Sequence, residues 1–206
     1  MSKNRLIHSR VEFKHWQEGV PEVDVVRPPR CLGCGAASRC PGKRLTVVGH
    51  GVRGRQLRGP TVVGREPELL DIGQRRFRCR RCRAVMVVAP GHVLRYRLFS
   101  SVAIVWALAL YGVEGVPAAA VRRAINPLTV VGASAARGWR ALSDWAEAVC
   151  FRGLLPVGRA LWGAPQRVAA ATCWALSALA PPSFRSQSMA HQAVTGSLHG
   201  LMGIAP

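Results

Sequence analysis

The chain carries Cys31-Leu32-Gly33-Cys34 and, after 44 intervening residues, Cys79-Arg80-Arg81-Cys82, and these two Cys-x-x-Cys pairs are the strongest signal in the sequence. A two-residue spacer lets one tight turn direct both sulfur atoms at a common point, and two such turns can close a tetrahedral site around one Zn²⁺. Gly35 follows the first pair and suits such a turn, because glycine tolerates positive φ, whereas Arg83 follows the second pair. The spacing predicts a structural zinc site with four ligands, Cys31, Cys34, Cys79 and Cys82.

Other cysteines and histidines lie outside this spacing. Cys40 and His50 fall between the two pairs, so either could replace a ligand, although four better-spaced cysteines are present. Cys150 and Cys173 lie in apolar helical patterns and are expected to be small buried residues. The remaining histidines of interest, His191 and His199, have no acid or cysteine pair nearby and are expected to be structural or exposed.

The 206 residues have room for one large or two small domains, and their charge is strongly positive. There are 26 Arg and 3 Lys against 10 acidic residues, a net charge of +19. Residues 1–100 hold 21 basic and 7 acidic side chains, so +14 of this charge lies on the cysteine half. A protein with this balance is expected to bind a polyanion or an anionic surface.

The sequence predicts neither a secretory signal nor a membrane span. Residues 1–10 are polar and basic with no apolar run after them. The longest apolar run, 102–113, has twelve residues, whereas a helix needs about 20 to cross a bilayer. We therefore expect no membrane partner and a cytoplasmic, nucleoid-associated protein whose thiols stay reduced.

Residues 31–92 are predicted to form a small β-rich zinc ribbon. The run 45–48 predicts a strand that stops at Gly49, and the run 84–88 predicts another that ends at Pro90-Gly91. Such a module is too small for a full apolar core, so the metal would supply folding free energy. Residues 1–30 are predicted to form a basic N-terminal arm that either contacts phosphate or is a partly ordered tail.

Arginines crowd this ribbon, and Phe77 alternates with them in a pattern typical of a strand with one buried aromatic and a basic face. Guanidinium groups this close repel one another unless an anion lies between them, and their planar fork matches phosphate geometry. We predict that these arginines contact DNA: Arg53, Arg55, Arg58, Arg75, Arg76, Arg78, Arg80, Arg81 and Arg83.

Residues 98–150 are predicted to be a helix-turn-helix-like domain of three helices. Ser100 or Ser101 caps a nearly apolar first helix that closes at Gly112 and should be central and buried. The second helix, 117–125, bears Arg122 and Arg123, which are further candidate DNA contacts. Residues 151–206 are predicted to be a C-terminal helical extension, with one helix over 165–180 and a last one from Ser186 or Ser188.

The third helix, from about Ala135 to Cys150 with Ser134 as its cap, is predicted to be the recognition helix. Arg137 and Arg140 lie toward its start and acidic residues toward its end, the reverse of what the helix dipole favours. A helix that presents its first turns to DNA would tolerate that order. The alternative is a plain helical packing unit, since the linker 126–133 is longer than the usual turn.

The order of these parts resembles the N-terminal region of insertion-sequence transposases, in which a zinc ribbon precedes a helix-turn-helix that binds the ends of the element. The resemblance covers roughly residues 28–150 and depends on the two cysteine pairs, on the arginine-rich turn 75–83 and on the run 137–142. It implies an α+β chain with a small β-rich zinc ribbon followed by an all-α helix-turn-helix-like region.

One departure from that family limits the implied activity. Such transposases continue into a catalytic domain whose three separated acidic residues hold two divalent metals, whereas here no Asp or Glu follows Glu147. The resemblance therefore implies duplex DNA binding without cutting, and no enzyme activity. The chain would be a transposition accessory protein, a truncated transposase or a regulator, and the resemblance implies a separate transposase subunit as a partner.

Two other functions remain open from the sequence. Basic zinc ribbons also bind RNA, although the aromatic residues here are too sparse to indicate base stacking. A Cys-x-x-Cys pair could instead be the redox centre of an enzyme. Two symmetric pairs are unnecessary for redox chemistry, and no thioredoxin-like βαβ pattern surrounds either pair.

Overall fold

The computed structural model describes residues 5–129, 139–157 and 162–204, and the chain divides into two compact units. The sheet unit comprises Met1–Gln56 and Leu70–Val93, and the helical unit comprises Leu57–Leu69 and Leu94–Pro206. The predicted mixture of α and β structure is confirmed. The described part of the segment predicted as an N-terminal arm belongs to the sheet unit.

Four strands form one sheet in the order β1-β4-β3-β2. β1 lies parallel to β4, with Ile7 opposite Val88, and β3 lies antiparallel to β4, with Phe77 opposite Met86. A short helix, α1, follows β1 along the chain. These elements span Arg5–Ser9 (β1), Phe13–Glu18 (α1), Val47–Arg58 (β2), Leu69–Cys79 (β3) and Val85–Pro90 (β4).

Glycines do not interrupt the strands where the sequence predicts that they should. β2 continues through Gly49, where a stop is predicted, because the neighbouring β3 supplies backbone partners along the strand. Gly73 lies within β3, and a Cβ there would lie 2.1 Å from Cγ2 of Val20. Gly73 therefore accommodates a close packing contact and does not mark a turn.

The core of the sheet unit is small and includes two of the metal-spaced cysteines. Phe77 is fully buried, as the alternation with arginines predicts. The chain before the first cysteine contributes Trp16 and Val26 to this core. Its buried members are Trp16, Val26, Cys31, Val47, Phe77, Cys79, Met86 and Val88.

In the described part of the helical unit, five α-helices surround or include a central, mostly buried α2. Ser100 caps α2, since its Oγ accepts the N–H of Ala103 at 2.8 Å and donates to the carbonyl of Pro60 at 2.7 Å. The predicted cap and the predicted central position of this helix are both confirmed. The helices span Ser101–Gly112 (α2), Ala118–Ile125 (α3), Ala141–Arg152 (α4), Pro165–Ser177 (α5) and Met189–Met202 (α6).

The third predicted helix starts later than its sequence pattern indicates. Ala135 and its proposed cap Ser134 lie outside the described residues, while Trp139 and Arg140 precede α4, which begins at Ala141. This start places Asp144 in the first turn and Arg152 in the last turn. Within α4 the charge order is therefore the one that the helix dipole favours, while Arg140 lies at its N-cap.

Close helix packing in this unit depends on glycines. A Cβ on Gly196 in α6 would lie 1.8 Å from the carbonyl oxygen of Leu176 in α5. A Cβ on Gly112 at the end of α2 would lie 2.4 Å from the backbone nitrogen of Ala170. The backbones of α5 and α6, and of α2 and α5, therefore approach closely at these two positions.

Candidate metal centre

The two cysteine pairs meet at one point in the sheet unit, as their spacing predicts. The sulfur atoms of Cys31, Cys34, Cys79 and Cys82 all lie within 4.8 Å of one another. Cys31 Sγ lies 3.6 Å from Cys82 Sγ, and Cys34 Sγ lies 3.8 Å from Cys79 Sγ. Disulfide sulfurs are about 2.05 Å apart, so these are four separate thiols. Four sulfur ligands this close could hold a metal ion.

Both cysteine turns have the same backbone hydrogen-bond pattern. In each, the first cysteine donates its N–H to the carbonyl five residues later and its carbonyl accepts the N–H four residues later. The bonds run from Cys31 to Ala36 and from Gly35 to Cys31 in one turn, and from Cys79 to Ala84 and from Arg83 to Cys79 in the other, each at 2.9 Å. The fourth residue after the first cysteine has positive φ in both turns, +70° at Gly35 and +58° at Arg83. The second turn thus holds an arginine in a backbone conformation that favours glycine.

Gly33 lies where the two turns meet. Its N–H donates to Cys31 Sγ at 3.2 Å, and a Cβ at this position would lie 2.9 Å from Cβ of Ala84 and 3.0 Å from Sγ of Cys82. Any side chain here would push the second turn away from the first. The N–H of Leu32 also donates to Sδ of Met86 at 3.4 Å, which ties the first turn to β4.

Two of the four thiols have pKa values shifted in opposite directions. Burial raises the pKa of the Cys31 thiol, but hydrogen bonds with the backbone of Cys34 and Gly33 and with the Cys82 and Cys79 side chains together bring the pKa to about 7. At Cys82 the backbone at Ala84 lowers the pKa, while desolvation and hydrogen bonds with the three neighbouring cysteines raise it to about 11. A bound cation would favour the thiolate form of every ligand.

An ion-pair network that the sequence pattern does not predict contacts Val47 and Phe77 in the core of the same unit. Arg27, whose side chain is only 7% exposed, bonds Asp24 at 2.7 Å and also donates to the carbonyl of Val47. Its guanidinium lies 5.8 Å from the centroid of the Phe77 ring. The hydrogen bond from Arg27, followed by the charge of Arg39 at 2.6 Å, holds the pKa of Asp24 below its usual value. The i, i+3 spacing of Asp24 and Arg27 is visible in the sequence, but their contacts with Val47 and Phe77 are tertiary.

The predicted DNA-contacting arginines of the β region divide by exposure. Arg75 is partly buried and donates to the carbonyls of Pro21 at 2.8 Å and Val20 at 3.5 Å, so its guanidinium holds the N-terminal segment against β3. Burial, and then the charge of Arg53, lowers the pKa of Arg55. Arg58 and Arg76 are also partly buried. The other predicted DNA-contacting arginines of this region are exposed, namely Arg53, Arg78, Arg80, Arg81 and Arg83.

The candidate arginines of the helical half have different surroundings. Arg122 is half-buried and Arg123 is exposed on α3. Arg140 is exposed one residue before α4, and Arg137 lies outside the described residues. The outward positions of α4 itself include Asp144 and Glu147.

Other cysteines and histidines of the chain lie outside the two Cys-x-x-Cys pairs. Cys40 and His50 are among the described residues but are not members of the four-sulfur group. Cys150 and Cys173 are buried, as predicted, and burial raises the pKa of the Cys173 thiol to about 12.

Comparison of the chain with protein-family models, with curated proteins and with solved structures finds no match in any of the three. None of the helices in the described ranges has the length and apolar character that crossing a membrane requires.

Proposed function

We propose that this chain is a zinc-dependent protein that binds duplex DNA without cutting it, as a transposition accessory protein, a truncated transposase or a regulator. The observation that carries the proposal is the four-thiol centre whose second turn bears a row of exposed arginines. The metal would hold that turn in shape, and the arginines would contact phosphate.

The sulfur geometry supports zinc. A tetrahedral site with Zn–S distances of about 2.3 Å has sulfur–sulfur edges of about 3.8 Å. The Cys31–Cys82 and Cys34–Cys79 separations of 3.6 and 3.8 Å agree with that edge. Four thiolates without oxygen or nitrogen ligands are typical of structural zinc or of iron, and only zinc brings no redox chemistry.

The placement of the second cysteine pair supports a zinc ribbon. Cys79 ends β3, Val85 begins β4, and the two strands are antiparallel, so the metal turn connects a hairpin. The core beneath this hairpin is small, and a metal bound only by the folded state would add folding free energy.

The charge around this hairpin supports a phosphate partner. Lys14, Arg27, Arg39 and Arg152 form ion pairs within 4 Å with acidic side chains. Arg78, Arg80, Arg81 and Arg83 are exposed and take part in none of these pairs. Exposed guanidinium groups without carboxylate partners are available to phosphate.

Metal analysis combined with DNA titration tests the proposal. The full chain, purified without added metal, is expected to contain about one zinc per molecule. Its affinity for a duplex of about 30 base pairs should fall steeply with salt, because each neutralised phosphate contributes a slope of about −0.9 in log K against log salt. A flat salt dependence, the absence of zinc, or tighter binding of hairpin RNA than of duplex DNA would contradict it.

Arginine variants then locate the surface. Arg81→Ala and Arg83→Gly should each reduce the salt slope by about one unit if both side chains contact phosphate. Arg83→Gly also removes the positive-φ strain, so its binding defect cannot be attributed to a disturbed turn. Arg39→Ala is the control that removes the same charge, since the Arg39 guanidinium is paired with Asp24 in the same unit. An equal loss in all three variants would mean that only net charge matters.

A further inference from the structure

We infer that α3, and not the helix predicted from the sequence, is the recognition helix of the helical unit, and that Arg122 and Arg123 contact the major groove of duplex DNA. This inference rests on the proposed function. It assigns the DNA-facing element within that function and identifies its contacting side chains.

The connection between α2 and α3 has the length of a helix-turn-helix turn. Four residues, 113–116, separate Gly112 at the end of α2 from Pro117 at the N-cap of α3. Gly115 in this turn has φ +69°, which favours glycine. The N–H of Val116 returns to the carbonyl of Leu110 at 2.8 Å and that of Glu114 to Ala109 at 3.1 Å, so the turn is tightly closed. Turns of three or four residues that contain glycine are typical of DNA-binding helix pairs.

One face of α3 packs into the core and the other presents arginine. Val121 and Ile125 are fully buried in the same cluster as α2, whereas Ala119 and Arg123 are exposed. Ala119 adds little bulk, so a ligand can approach the backbone of the first turn closely. A cleft of about 530 Å³ runs along this face, lined in part by Ala118, Ala119, Arg122, Arg123 and Trp139.

The size of α3 also suits a DNA groove. An α-helix with its side chains is about 10–12 Å across, and the major groove of B-DNA is about 12 Å wide, so α3 can enter it. The major groove of A-form RNA is deep and narrow and does not admit a helix in this way. The helix is therefore better matched to duplex DNA than to double-stranded RNA.

α4 is unsuited to this role. Half of its twelve residues are buried, and the exposed positions include Asp144 and Glu147. Carboxylates on the outward face would repel DNA phosphates. The one exposed arginine within α4, Arg152, is paired with Glu147 at 3.0 Å.

Selection of a bound sequence tests the inference with the full chain. A duplex that the wild-type protein enriches from a random library would be compared with a scrambled duplex at fixed salt. The quantity measured is the Kd for the scrambled duplex divided by the Kd for the enriched duplex. Arg123→Ala and Arg122→Ala are each expected to lower this ratio by about tenfold, the typical worth of one arginine–guanine contact. Both positions are helical and not fully buried, so alanine should preserve the fold, which thermal unfolding monitored by circular dichroism would verify.

Matched controls separate the possible failures. Arg152→Ala removes the same charge from α4, and Asp144→Asn removes a carboxylate; both should change the ratio by less than twofold. Steep salt-dependent DNA binding combined with an unchanged ratio in both α3 variants would overturn the inference and leave the proposed function standing. Three other results would overturn the inference: an equal loss of affinity for both duplexes, a library from which no sequence is enriched, or a change in the ratio that is larger for Asp144→Asn than for the two α3 variants. Absence of duplex binding by the wild-type protein would overturn both.

Discussion

At the scale of single residues, the absence of a side chain at Gly33 allows the thiols of the two turns to approach one another. Gly33 donates its N–H to one ligand sulfur and faces another, Sγ of Cys82, across the position that a Cβ would occupy. The neighbouring Gly35 is required for a different reason, its positive φ. Arg83 has that same backbone conformation with a side chain attached, which places a charged group beside the metal turn at a conformational cost of about 1 kcal/mol.

We expect Gly33→Ala to weaken metal binding by about tenfold or more, because the added methyl would lie 2.9 Å from Cβ of Ala84 and 3.0 Å from Sγ of Cys82. Competition with a chromophoric chelator measures this affinity. Gly54→Ala is the matched control, since Gly54 lies in β2 of the same unit and a Cβ there would meet nothing within 4 Å. Equal affinities for the two variants would show that the turns can separate without loss of the site.

At the scale of elements, local and long-range features differ in how far the sequence predicts them. The start of α2 is predicted by Ser100, because a cap is a contact with residues next in the chain. The start of α4 and the continuation of β2 through Gly49 are not predicted, because partners elsewhere in the chain influence both. The close approach of two helices belongs to the long-range features. Gly196 and Gly200 lie four residues apart in α6, but the sequence does not show that the carbonyl of Leu176 lies against Gly196.

We expect Gly196→Ala to lower the free energy of unfolding by about 2 kcal/mol, because the methyl would overlap the carbonyl of Leu176 and force α5 and α6 apart. Denaturant unfolding followed by circular dichroism measures the change. Ser143→Ala, on the exposed side of α4, should stay within about 0.5 kcal/mol of the wild type. If Gly196→Ala were as stable as this control, the close approach of the two helices would be disproved.

At the scale of the whole molecule, the two units have separate cores of different character. The sheet unit buries a few side chains around the thiol centre, while the helical unit buries a larger cluster that includes Ile104, Leu108 and Leu176. A small core that contains metal ligands is expected to depend on its metal. The larger apolar cluster contains none of the four ligand cysteines.

We therefore expect a strong chelator to unfold the sheet unit and to leave most of the helical signal intact. Tryptophan fluorescence would respond through Trp16, which is buried in the sheet core, and far-UV circular dichroism at 222 nm would report the helices. Restoring zinc should restore the fluorescence. If the fluorescence signal and the helical signal were lost together when one equivalent of metal is removed, the folding of the two units would not be independent.

The amino-acid pattern alone predicts the group of four cysteines, the basic character of the chain and the capped central helix, because spacing, charge and capping are read from short stretches of sequence. The three-dimensional arrangement is needed to show that Arg75 holds the N-terminal segment while Arg81 is exposed, and that α4 has an acidic outward face while α3 has a basic one. Exposure depends on which distant segments pack against a residue. A charged side chain has the same sequence signature whether its partner is a backbone carbonyl, a carboxylate or solvent.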